Sequence, residues 1–272
     1  MLDPDAVREA LAEDAEELLP LLARMSRATD PGLRRQVLAL APRLVVERAA
    51  SGAGRRSGTG RLQAAPVRYG GDLDVDASLD AVLAASAERR PVDLDDLLGR
   101  SWRRPAWAVC LLVDRSGSMD GARLATAAMA AAACTLRVEG ELAVVAFDRR
   151  AEVVAPLAAP QPADRTVARV LALRGHGMTS LHAAFRAAGE QLARARARRR
   201  VTIVLSDCRA TDDMDPLPAA RALEELVVIA PAADADEARQ LAHRTGARFA
   251  PIGSLDDLPR IVDDLLGRTA PA

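Results

Sequence analysis

The chain has no lysine and no asparagine, so all 37 of its cationic side chains are arginines. This pattern reads as codon bias in a GC-rich genome rather than a functional demand. Aromatic residues make up 2% of the 272 positions. The core must therefore be built from Leu, Val, Ala and Ile, and base stacking on interleaved aromatics is excluded as a route to nucleic acid. The formal charge is −1, which gives no nonspecific electrostatic preference for polyanions. The three cysteines, Cys110, Cys134 and Cys208, show no close pairing. Cys110 falls in a strand-like run and Cys134 in an apolar helix, where both pack as small hydrophobes. Long hydrophobic runs are missing too. The longest weakly polar stretch, residues 124–136, is too short and too rich in Ala and Thr to cross a bilayer. The acidic start Met1-Leu2-Asp3-Pro4-Asp5 lacks the basic and apolar parts of a signal peptide. Together these absences predict a cytoplasmic protein with no membrane insertion.

Half of the residues are hydrophobic, enough for one large domain or a medium one with a smaller companion. Residues 1–50 read as a helical region of two helices, with start signals at Asp3-Pro4 and Asp30-Pro31. Val7, Leu11, Leu18 and Leu22 line one face of the first, and Leu33, Val37, Leu40 and Leu44 follow in the second. Residues 51–66 read as a flexible linker that opens with a Gly/Ser/Arg run. That run is no phosphate loop, because no Gly-Lys-Ser/Thr follows it and no strand precedes it. Residues 67–104 read as a helical connector, with Asp76 or Ser78 as a cap and a further short helix near Asp95, Leu97 and Leu98.

From residue 105 to residue 268 the pattern changes. Apolar runs of strand length (106–114, 141–147, 201–206, 226–230 and 248–252, with 152–155 as a short edge) alternate with amphipathic helical segments. Strands apolar throughout and separated by helices predict an α/β fold with a doubly wound, mainly parallel sheet of Rossmann-like shape, covered on both faces. The first strand ends in Asp114-Arg115-Ser116-Gly117-Ser118-Met119, which offers a carboxylate and two hydroxyls at every second position. Thr179 stands just before a predicted helix, and Asp207 follows another strand. In an open α/β sheet, ligands bind beyond the carboxyl ends of the strands, where the strand order reverses. Asp114, Ser116, Ser118, Thr179 and Asp207 are therefore the candidate metal ligands. Carboxylates and hydroxyls suit Mg²⁺, with Mn²⁺ second, and disfavour Zn²⁺ or Cu²⁺. Two carboxylates and three hydroxyls leave the shell incomplete, with room for a carboxylate from outside.

The motif Asp-x-Ser-x-Ser with a later Thr and Asp resembles the metal-ion-dependent adhesion site of von Willebrand factor A (VWA) domains, over residues 105–267. The resemblance implies that Ser116, Ser118 and Thr179 touch the metal, with Asp114 and Asp207 acting through water. It also implies a module that presents the metal to a protein partner and is not an enzyme. A glycine usually follows the last aspartate of this motif, and here Cys208 does. The layout resembles bacterial intracellular VWA proteins of the carbon-monoxide-dehydrogenase accessory and magnesium-chelatase D-subunit types. That resemblance implies a MoxR- or chelatase-type AAA+ ATPase as partner, supplying an acidic residue to the metal during metal insertion or protein maturation.

The competing class is a metal-assisted phosphatase or hydrolase on the same Mg²⁺. No general base stands out beyond the metal-site carboxylates, Arg115 is the only cation beside the motif, and the Gly-x-Ser-x-Gly elbow is missing. His176 reads as a loop residue, and His182 and His243 lack companions at zinc spacing. Arg194, Arg196, Arg198, Arg199 and Arg200 fall at a predicted helix end, where favourable interaction with the helix dipole and solvent explains them.

Overall fold

The computed structural model describes residues 4–28, 30–51, 61–66, 72–88, 90–93, 96–103, 107–115, 121–138, 141–157, 159, 161–175 and 177–267. The chain divides into two compact units, one formed by Met1–Arg55 with Ala106–Ala272 and the other by Arg56–Pro105.

The N-terminal segment forms three helices rather than two: α1 (Pro4–Glu13), α2 (Ala15–Met25) and α3 (Pro31–Ser51). The break falls at Asp14, whose extended backbone interrupts the first helix while its carboxylate accepts from the Glu17 amide at 3.0 Å. An N-cap of this kind starts a new helix wherever the chain can satisfy its first free amides. The smaller unit contains β1 (Arg61–Pro66), β2 (Asp72–Leu73), α4 (Val75–Ala87) and β3 (Leu98–Arg103), with the strands in the antiparallel order β1-β3-β2. The linker and connector suggested by composition thus carry a small sheet in part, while residues 52–60 lie outside the described residues. Leu98, expected in a short helix, opens β3 instead. The cap of α4 is Asp74, which accepts from the Ala77 amide at 3.2 Å. Ser78 is buried, and its hydroxyl bonds both the amide and the carbonyl of Leu98.

The remaining elements alternate. They are β4 (Trp107–Asp114), α5 (Gly121–Arg137), β5 (Glu141–Phe147), β6 (Ala151–Ala155), α6 (Ala163–Leu171), α7 (Leu181–Leu192) and β7 (Arg199–Leu205), then α8 (Leu217–Arg221), β8 (Glu225–Pro231), α9 (Asp236–Thr245), β9 (Arg248–Ile252) and α10 (Asp257–Gly267). The six strands lie in the order β6-β5-β4-β7-β8-β9, all parallel except the edge strand β6. This is the mainly parallel, doubly wound sheet that the apolar runs predict. The side-chain period of two sorts each strand between two cores. On β4, Val109, Leu111 and Val113 join a cluster with α2, α3, α5, α6 and α10, while Ala108, Cys110 and Leu112 join one with α7, α8 and α9.

The first face is the deeper one. Helix α5 contains eight alanines and is buried around almost its whole circumference, because it packs against β4 and β5 on one side and α2, α3, α6 and α10 on the others. A helix apolar on all sides can only be an interior one. Small side chains let its neighbours come close, and at Gly121 they come closest. A Cβ built there would lie 2.3 Å from the Pro20 carbonyl oxygen and 2.7 Å from Cγ of Arg24. Polar links fix the second tier of helices. Ser26 donates its hydroxyl to the Ala23 carbonyl at 2.7 Å and the Leu171 carbonyl at 3.1 Å. Arg27 donates to the Leu173 carbonyl at 2.9 Å, and Glu16 accepts from the Leu255 amide at 2.5 Å. At the far end of α5, the buried Arg137 guanidinium forks onto Asp263 of α10 at 2.7 and 3.1 Å. Among the described residues no helix is long and apolar enough to cross a membrane.

Candidate metal centre

The chain leaves β4 toward β5 on one side and later returns to place β7 on the other. The strand order therefore reverses between β4 and β7, and their carboxyl ends flank the crevice where an open α/β sheet takes its ligands. Asp114 is the last residue of β4, and Asp207 lies two residues beyond β7. The sheet ladder is prolonged past both strands. The Arg115 amide donates to the Phe147 carbonyl at 2.8 Å, and the Ser206 amide to the Ile229 carbonyl at 3.1 Å. Asp114 and Asp207 therefore stand on anchored backbone, and both line a cavity of ≈ 50 Å³ with Ser206, Arg123 and Thr126.

Ser206 ties the two strand ends together. Its hydroxyl donates to Oδ2 of Asp114 at 2.5 Å and accepts from the Cys208 amide at 2.9 Å. Cys208 turns the chain with a φ of 61°, the left-handed region where a non-glycine residue is uncommon. Its buried thiol takes the position of the glycine usual in the motif. Burial first, and then the nearby Asp114 and Asp207 charges, push that thiol well above its ordinary pKa.

Thr179 reaches the same pole from another loop. Its amide donates to the Thr211 hydroxyl at 2.7 Å, and the Thr211 amide donates to its carbonyl at 3.0 Å. The Thr179 loop is thereby stitched to the loop that carries Asp207. A third stitch joins His182 Nδ1 to the Asp215 carbonyl at 3.2 Å. Ser180 caps α7 by accepting from the Ala183 amide at 3.2 Å, and its own amide donates to the Asp148 carbonyl at 2.8 Å. Thr179 is only 4% exposed, and its hydroxyl makes no hydrogen bond among the described residues. Ser116 and Ser118 lie outside the described residues, as does His176.

The cations are arranged differently from the sequence reading. Arg115 turns away from the crevice to Asp148 at 3.1 Å and Glu152 at 2.6 Å. The cation at Asp207 is Arg123, on the first turn of α5, whose guanidinium lies 3.3 Å from Oδ2. The other oxygen, Oδ1, accepts from the Arg209 amide at 3.1 Å. Sequence reasoning missed Arg123, Ser206 and Thr211, because none belongs to a motif and each acts across the fold. The one available signal was the hydroxyl of Ser206 directly before Asp207.

The donor set fits a hard cation of modest charge demand. Among the described residues no group of three His, Cys, Asp or Glu side chains is placed to hold a metal, and those residues offer the site the carboxylates of Asp114 and Asp207 beside hydroxyls. The open Thr179 hydroxyl suits that role. Mg²⁺ tolerates such a shell because it retains several waters in octahedral geometry. Asp114, Thr179 and Asp207, with Ser116 and Ser118 of the intervening loop, are the residues that would hold it.

Fold and strand-end site together define a VWA-type α/β domain. Residues 38–239 match the family described as VWA domain containing CoxE-like protein, and the chain belongs to that family. No curated protein matches the chain. Among solved structures, it is similar to an aerotolerance-related membrane protein from Bacteroides fragilis at 12% identity and a TM-score of 0.50, over 60% of this chain and 100% of that one. It is also similar to a von Willebrand factor type A protein from Catenulispora acidiphila at 21% identity and a TM-score of 0.49, over 62% of this chain and 43% of that one. At 12% identity the first likeness concerns the fold alone.

Proposed function

We propose that this protein is a Mg²⁺-dependent protein–protein interaction module, the partner of a MoxR- or chelatase-type AAA+ ATPase in metal insertion or protein maturation. The observation that carries this reading is the placement of Asp114 and Asp207 on either side of the crevice where the strand order reverses, with Ser206 bonded to Asp114 and Arg123 paired with Asp207. Membership in a CoxE-like VWA family supports an interaction role. When bound, Mg²⁺ supplies a Lewis-acidic point that a carboxylate from outside can complete. The chain's own residues do the rest. Ser206 fixes the Asp114 carboxylate, the Thr211 bonds hold Thr179 at the rim, and the Arg123 and Arg209 contacts orient Asp207.

The test compares wild type and Asp114→Ala for binding to the cognate AAA+ ATPase in one Mg²⁺ buffer, so that the ATPase's own need for Mg²⁺ cancels. Wild type binds and alters ATP turnover, and the variant loses both. Equal binding by the two proteins would remove the metal from the interaction. The competing phosphatase or hydrolase reading calls for a steady, Asp114-dependent turnover of a simple phosphoester, and such turnover would replace the present reading.

A further inference from the structure

Both oxygens of Asp207 are already engaged by the protein. Oδ1 accepts from the Arg209 amide at 3.1 Å, and Oδ2 faces the Arg123 guanidinium at 3.3 Å. The Asp207 side chain is 11% exposed and that of Arg123 38%, so the carboxylate is sheltered while solvent partly screens the guanidinium. Arg123 sits on the first turn of α5, and that turn is pinned against α2 at Gly121. The guanidinium therefore projects from a fixed base into the wall of the cavity that Asp114 and Asp207 also line.

We infer that Arg123 is a positioning residue that sets the metal selectivity of the site, by keeping Asp207 from offering a bidentate carboxylate. This rests on the metal-binding reading above and extends it to the choice of ion. Ca²⁺ takes six to eight oxygen ligands and readily uses carboxylates bidentately, whereas Mg²⁺ takes six and keeps several as water. A carboxylate whose two oxygens each already meet one partner is disfavoured from clasping an ion with both, and it acts through one oxygen or through water, which Mg²⁺ accepts and Ca²⁺ exploits poorly. The positive charge of Arg123 also lowers the affinity for any divalent ion. That penalty falls on both metals and leaves their ratio to the carboxylate geometry.

The experiment uses Mn²⁺ as the probe. Free Mn²⁺ is followed by electron paramagnetic resonance as it binds the full-length chain, and Mg²⁺ or Ca²⁺ is titrated in to displace it. The proteins compared are wild type, Arg123→Met, Arg123→Lys and Asp114→Ala. In Arg123→Met both ions bind more tightly because a positive charge has left the site, and the Mg²⁺ to Ca²⁺ preference falls about tenfold. Arg123→Lys keeps the cation opposite Asp207 and stays near the wild-type ratio, whereas Arg123→Met keeps an apolar stem and loses the cation; a purely structural role for the arginine stem would leave both variants near wild type. A ratio in Arg123→Met within about twofold of wild type overturns the inference while leaving metal binding intact. Wild type that binds Mn²⁺ no better than Asp114→Ala overturns the metal reading and this inference with it. Thermal melting of each variant without metal separates either result from misfolding.

Discussion

The two faces of the six-stranded sheet are covered in different ways. One face carries a single layer, α7, α8 and α9, whose outer sides meet solvent. The other carries α5, α6 and α10 and above them a second tier from α2 and α3. Helices of the single layer obey the usual rule of one apolar stripe, and on α7 the buried positions Leu181, Ala184, Phe185, Ala188 and Leu192 alternate with exposed or half-buried ones. Helix α5 has no solvent side along most of its length. Its alanines serve as spacers that let six neighbouring elements approach. A small side chain thus differs with position: Ala187 of α7 keeps a partly open side, whereas Ala127, Ala128, Ala130, Ala131, Ala132 and Ala133 of α5 are enclosed.

The sharpest way to break this contrast is to place the same substitution on both sides. Ala131→Leu, in the wholly buried stretch of α5, overpacks a closed space and is expected to cost about 3 kcal/mol. Ala187→Leu, half-buried on α7, stays within about 0.5 kcal/mol. Denaturant unfolding of the two variants measures the difference, and equal losses would mean that α5 is not enclosed as described. Gly121→Ala comes next. Its new methyl would meet the Pro20 carbonyl at 2.3 Å, and backbone cannot step aside as a side chain can. A loss of about 2 kcal/mol is expected, together with faster proteolysis of α1 and α2 than of α7 to α9.

Ser26→Ala removes the hydroxyl that joins the end of α2 to the end of α6 and should cost about 1 kcal/mol. Its effect grows in the Gly121→Ala background if both act on the docking of the second tier, and a double-mutant cycle checks that coupling. The smallest effect concerns the thiols. Burial pushes Cys134 up to about 12, and it moves Cys110 upward as well. In the folded protein neither reacts with an alkylating reagent at neutral pH. In Gly121→Ala, Cys134 on the double-layered face is expected to label before Cys110 on the other, as peptide mapping by mass spectrometry would show. A raised thiol pKa gives stability that is complete below the ordinary thiol value of about 8.5 and is lost as pH climbs beyond it. Alkaline titration should therefore lower the stability progressively above that point, with no matching loss from this source on the acid side.

How much of this was legible in the residues differs between the same two faces. Strand length, apolar composition and the intervening amphipathic segments locate every strand of the large sheet to within a few residues. The strand-end positions of Asp114 and Asp207 follow from that pattern. Less visible was the second tier. Leu11, Leu22, Val37 and Leu44 show an apolar face, but nothing local says what covers it, and the match comes from α5, more than a hundred residues into the chain. The alanine run of α5 carried a usable sign, since a helix with no polar side belongs inside. The small sheet went unread because no continuous apolar run marks its two six-residue strands, and its third holds only two residues. Arg123 was hidden for another reason, since an ion pair spanning 84 positions leaves no trace in local spacing.

The contact at Gly121 has a practical side. A piece of the protein cut to the boundaries of the α/β repeat would begin near residue 105 and carry α5 with its outer flank uncovered. Such a piece would present a long alanine-rich strip to its surroundings and stick to whatever apolar surface it met. The three leading helices are thus the lid of the domain, and any fragment prepared for crystallisation, display or fusion has to start ahead of them.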